Sequence, residues 1–150
     1  MKSVTLRMKE DIALGRVYNP NAPGKERDRL LKVIIVTINE LHNNHVGSEE
    51  FKDLSAFLLL SSRAVSHSVE TTSTAWEKRG YWIKADRFRL EWSWLERHNE
   101  QLDQNIYKGE WNLIVNVADE IHHHLGEIPL LKKHRYGKPW LGAYKKYKEM

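Results

Sequence analysis

The stretch Leu31-Lys32-Val33-Ile34-Ile35-Val36-Thr37-Ile38-Asn39-Glu40-Leu41 decides the fold. Its centre, Val33 to Ile38, is β-branched throughout and in isolation suits a strand. Its edges do not. Leu31, Ile34, Ile38, Leu41 and His45 recur at spacings of three and four, and Leu30, Ile35 and His42 flank the same stripe. A strand would alternate with period two, whereas this period of about 3.5 continues past the β-branched run on both sides. The segment therefore reads as a helix over 25–46, stopped by Gly47.

Working outward, Ser48-Glu49-Glu50 is an N-cap followed by acids that meet the positive end of a helix dipole. The next stripe, Phe51, Leu54, Leu58, Ser61, Val65, Ser68 and Thr72, belongs to a second helix. Residues 56–60 are apolar on every face, which puts this helix at the centre. Its end has two readings. Gly80 can be a C-cap after Lys78 and Arg79. Alternatively, Thr71-Thr72-Ser73-Thr74 breaks the chain, and Thr74-x-x-Glu77 is a capping box that opens helix three. Only the second reading lines up Trp76, Ile83, Leu90 and Trp94 on one stripe, at a cost of about 1 kcal/mol for Gly80 inside a helix. It is adopted, with helices over 49–71 and 75–104. The opposite face of helix three carries Tyr81, Ala85, Phe88, Trp92, Leu95 and Leu102. A fourth helix, 108–125, carries Tyr107, Trp111, Ile114, Ala118, Ile121 and Leu125, and Gly126 and Pro129 end it. The expected architecture is all-α: an antiparallel four-helix bundle over 25–126 within a single domain, 1–150. Residues 1–24 read as a loop-like arm, since Asn19 to Gly24 includes two prolines and a glycine. Residues 127–150 read as a C-terminal arm, in which Trp140, Tyr144 and Tyr147 fall at the spacing of a short helix.

Composition narrows the function. The 150 residues include no cysteine, which excludes disulfides, thiolate nucleophiles and thiolate metal sites. The longest apolar run, Ala56 to Leu60, is far short of a membrane span, and the first ten residues hold no apolar leader. A cytoplasmic location and no membrane partner are expected. There is no Gly-x-Ser-x-Gly elbow, phosphate loop or dinucleotide fingerprint. The net charge of +4 is concentrated: residues 130–150 hold seven Lys or Arg and one acid, while residues 1–129 are net acidic by two. A basic terminal segment on a near-neutral body is the signature of an interaction arm.

Three constellations carry candidate chemistry. In the tail, Lys132, Lys133, Arg135, Lys138, Lys145, Lys146 and Lys148 bracket Trp140 and Tyr144. Cations interleaved with aromatics suit nucleic acid, the first neutralising phosphates and the second stacking on bases; an acidic protein is an equally suitable partner. Alternatively, Trp140 docks on the bundle and the lysines stay in water. Residues 76–94 hold four of the six tryptophans and five Lys or Arg, but periodicity assigns most of these rings to packing. The two opposed stripes of helix three exceed what one helix of a monomeric bundle buries, so Trp76, Ile83, Leu90 and Trp94 are expected to line a homodimer or larger oligomer interface. Among eight histidines, His42 and His45 on helix one and His122 on helix four lean toward the core, where three imidazoles could hold one metal with an open position. Glu120-x-x-His123 matches half of a di-iron bundle motif, but no second copy exists and the pair points away from the apolar stripe. The leading expectation is a non-enzymatic binding or scaffold module, with no cofactor, acting through the tail. The alternative is a bundle enzyme or carrier holding a metal or cofactor through the three histidines.

Overall fold

The computed structural model describes residues 22–126, 128 and 134–150. These form four long helices and one short one: α1 Ala22–His42, α2 Glu49–Lys78, α3 Trp82–Lys108, α4 Trp111–Leu125 and α5 Ala143–Lys148. There is no strand among the described residues, and no helix among them is long and apolar enough to cross a membrane. Each long helix packs on the next, and α4 closes onto α1, giving the expected antiparallel bundle. The cross-contacts fix the directions. Arg27, early in α1, bonds Ser68 and Thr72, late in α2. Arg63 of α2 pairs with Asp103 of α3, and Trp94 of α3 stacks on His124 of α4.

The β-branched run of α1 is helical because burial outweighs local preference. Val33 to Ile38 are all buried, and the Thr37 hydroxyl donates to the Val33 carbonyl at 2.8 Å, so no polar atom of the run is stranded. Pro23 occupies the first turn, where its missing N–H breaks no hydrogen bond. The helix therefore starts before the expected boundary, and Ala22 to Gly24 belong to it. The rest of the expected N-terminal arm lies outside the described residues.

Helix α2 is the central element. Residues 54–62 are buried without interruption, because α1, α3 and α5 all pack on it. Three of its serines return their hydroxyls to their own helix, Ser55 to the Phe51 carbonyl, Ser68 to Val65 and Ser73 to Val69, whereas the buried Ser61 and Ser62 hydroxyls have no hydrogen-bond partner among the described residues. The expected break at Thr71–Thr74 is absent. Thr71 bonds back to the His67 carbonyl and Thr72 accepts from Arg27, so these hydroxyls are consumed without opening the helix. The helix ends at the other candidate. The Gly80 N–H donates to the Glu77 carbonyl and the Tyr81 N–H to Trp76, a paired closure that needs a left-handed residue, and Gly80 supplies φ +84°. Helix three thus begins at Trp82 and not near 75. A double clamp fastens the hairpin: the Arg89 guanidinium donates two hydrogen bonds to Glu70, at 3.0 and 2.9 Å, and a third to Glu77. These bonds hold both carboxyls below the usual carboxylate range.

The C-terminal segment is part of the fold. Trp140 is 1% exposed, and its indole N–H donates to Glu50 at 3.1 Å. Asp53 accepts from the backbone N–H groups of Gly142 and Tyr144, at 3.1 and 3.0 Å, which satisfies donors at the start of α5. The Tyr147 hydroxyl reaches Asp103 at 2.7 Å; burial and that bond raise its pKa. The segment is thus tied to the first turns of α2 and to α3.

Candidate nucleic-acid interface

The outer face of α1 and the start of the C-terminal segment enclose a basic groove. The period that buries Leu30, Leu31 and Ile34 turns Lys25, Asp28, Arg29 and Lys32 outward, at spacings of three, four and seven. His134, Arg135 and Tyr136 form the opposite wall of a cleft of about 620 Å³. The four cations, Lys25, Arg29, Lys32 and Arg135, are exposed and share the cleft with one carboxylate, Asp28. Among the described residues, no ion pair engages any of the four. The aromatic wall is ordered from behind. The His134 and Tyr136 rings stack at 5.7 Å, the Tyr136 N–H donates to His134 Nδ1, and His134 leans on buried Trp140, 6.4 Å between centroids. Trp140 therefore acts on the groove from the core, supporting one of its walls.

The tail cations expected to form one patch are dispersed. Among the described tail cations, Arg135 alone lines the groove. Lys138 is held by Glu50 at 3.1 Å, and Lys148 sits over the Tyr144 ring at 4.6 Å. Lys145 and Lys146 lie on α5, and Lys132 and Lys133 lie outside the described residues. Trp140 is no surface contact, and Tyr144 packs edge-on against Trp111 and stacks on Tyr147. Of the two readings of Trp140, docking on the bundle is the one observed, and Tyr144, which the other reading placed at the partner surface, packs there too. The α1 half of the groove went unread, although the spacing of Lys25, Arg29 and Lys32 opposite the Leu30–Ile34 stripe carried the signal.

The expected oligomer seam is divided. Because Gly80 ends α2, Trp76 lies on a different helix from the other three residues. Trp76 meets Phe88 edge-on and Lys84 over its face, and Trp94 stacks on His124 at 4.1 Å, so both tryptophans find partners within the chain. Only Ile83 and Leu90 stay exposed.

The metal-site histidines are not brought together either. His42 Nε2 lies 2.6 Å from Asp119, on the surface between α1 and α4. His45 stands exposed beyond the end of α1, and His122 is half-buried on α4. Among the described residues, no group of three or more His, Asp or Glu is placed to hold a metal ion. What α3 and α4 do assemble is an aromatic cluster, His124 stacked on Trp94 and His98 edge-on to Trp94, with Glu120 3.4 Å from His98. Desolvation, then the neighbouring His98, His123 and Arg97, hold the His124 imidazole below its ordinary pKa, against a smaller opposing pull from Glu120.

A depressed histidine pKa has a definite sign. The unfolded chain binds this proton more readily, so the stability His124 contributes is complete above the unfolded value of 6.5 and is lost as pH falls below it. A thermal-melt series across that range should show a decline that His124→Phe flattens. An unchanged profile in the variant would remove His124 from the account.

Compared with protein-family models, curated proteins and solved structures, the chain matches none, so the functional reading of the groove rests on its own residues and geometry.

Proposed function

We propose that this protein is a non-enzymatic helical binding module, acting in the cytoplasm, that holds single-stranded nucleic acid by its phosphates in the groove between α1 and the C-terminal segment. One observation carries the reading: Lys25, Arg29 and Lys32 converge with Arg135 on a single cleft in which Asp28 is the only acid among the described residues. Unpaired exposed cations cost a fold little and contribute little to it, so their alignment along one groove calls for an anionic occupant. The His134–Tyr136 stack adds a surface on which a base can lie, which favours a single strand over a closed duplex. The competing reading, a metal or cofactor carrier, has no comparable convergence of its histidines. The test is fluorescence anisotropy with labelled single-stranded RNA and DNA, each beside its duplex. Tighter binding of the single strands is expected, together with loss of affinity in Tyr136→Ala. Failure to bind any nucleic acid would overturn the proposal and leave an acidic protein as the occupant to seek.

A further inference from the structure

The α2–α3 hairpin extends beyond α4, and along it α1 reaches the level of Phe88, whose ring lies under the Arg27 guanidinium at 4.9 Å. Helix α4 has 15 residues and runs back along α3 only as far as the Trp94–His124 stack, next to its own end at Leu125. The first twelve residues of α3, 82–93, therefore project past it by roughly 18 Å at 1.5 Å per residue. At the tip, three consecutive large side chains face outward: Tyr81 is 55% exposed, Trp82 61% and Ile83 70%. Leu90, two turns along α3 from Ile83, is 72% exposed. A globular surface rarely leaves such a run uncovered without a partner.

The charges around the tip are sorted. Arg89 gathers the nearby carboxylates: it hydrogen-bonds Glu70 and Glu77 and lies 3.7 Å from Asp86. Lys78, Arg79, Lys84 and Arg87 remain exposed around the apolar residues. The tip is thus an apolar point flanked by four exposed cations, and these outweigh the net negative charge that Arg89 and its three carboxylates carry beside it. We infer that this tip, Tyr81-Trp82-Ile83 with Lys78, Arg79, Lys84 and Arg87, docks on an anionic phospholipid surface. Tyrosine and tryptophan rings suit the lipid–water boundary because each joins an apolar body to one polar atom. Flanking lysines and arginines meet the anionic headgroups that the cytoplasmic leaflet presents. A second copy fits less well, since a two-fold contact would set these four cations against their own equivalents. The contact is peripheral and needs no spanning helix. It departs from the sequence-based expectation of no membrane partner, which rests on the shortness of the apolar runs, while the helix read over 75–104 places Trp82 and Ile83 in its interior.

The experiment is cosedimentation of the full chain with vesicles of phosphatidylcholine containing about one-third phosphatidylserine, and with phosphatidylcholine alone. Binding is expected only to the anionic vesicles, with a blue shift of tryptophan emission. The double substitution Trp82→Ser, Ile83→Ser should weaken it at least about tenfold without lowering the melting temperature, since both side chains lie in solvent. Neutralising Lys25, Arg29 and Lys32 should leave it within about twofold, which separates this surface from the nucleic-acid groove. No binding to anionic vesicles would overturn the inference. So would binding that the double variant retains, binding that follows the groove residues, or lipid-free self-association that the double variant abolishes.

Discussion

Replacing Trp140 with alanine is expected to destabilise the protein by about 3–5 kcal/mol, the range for removing a large buried aromatic side chain. The ring is 1% exposed and is among the largest fully buried side chains. Its removal opens a cavity at the start of α2 and takes from Glu50 one of its two donors, leaving Lys138. Trp140 is also the only large, fully buried side chain that the described C-terminal segment inserts, so its loss loosens the Asp53 bonds to Gly142 and Tyr144. Trp140→Phe should cost distinctly less, because most of the burial is kept and chiefly one hydrogen bond is lost. Urea titration measures both. A midpoint in Trp140→Ala equal to wild type would mean that the tail rests on the bundle without stabilising it. For the same reason, removing residues 130–150 should destabilise the bundle as well as weaken binding.

Neutralising the α1 side of the groove should act in the opposite way, leaving stability nearly unchanged and removing binding. Lys25, Arg29 and Lys32 are exposed and unpaired among the described residues, so alanine there should shift stability by no more than about 0.5 kcal/mol per site. Each phosphate contact on a single strand contributes a salt exponent of about 0.7. At about 0.1 M salt, three lost contacts therefore amount to about a hundredfold loss of affinity. Anisotropy titration of Lys25→Ala, Arg29→Ala, Lys32→Ala against a single-stranded oligonucleotide measures this. A loss smaller than about threefold would place the strand elsewhere on the surface.

Period and end signals made most of the helices legible. The stripe from Leu31 to Leu41 identified α1 despite six β-branched residues, and Ser48 opens α2, its side chain accepting from the Phe51 N–H. The error at Thr71–Thr74 has a local cause. Threonine-rich runs can cap a new helix or bond back along an existing one, and which happens depends on whether an outside donor such as Arg27 engages them. Gly80 decided between the two readings, because only glycine takes its left-handed turn at no steric cost. The groove was half legible. Arg135 stood out in a basic tail, but its partners on α1 lie about a hundred residues away, and tertiary packing alone brings them together. The role of Trp140 was open for a similar reason: nothing in the spacing of the tail says that Glu50 and Asp53 will receive it.

The most direct measurement of the central claim is the salt dependence of single-strand binding, followed from low to physiological ionic strength. Four cations in the groove correspond to a slope of about −3 for log affinity against log salt, and the α1 triple variant, with Arg135 alone, to about −0.7. Those two slopes are the expected result. A wild-type slope near zero, or a slope that the triple variant leaves unchanged, would contradict the assignment of this groove to nucleic acid.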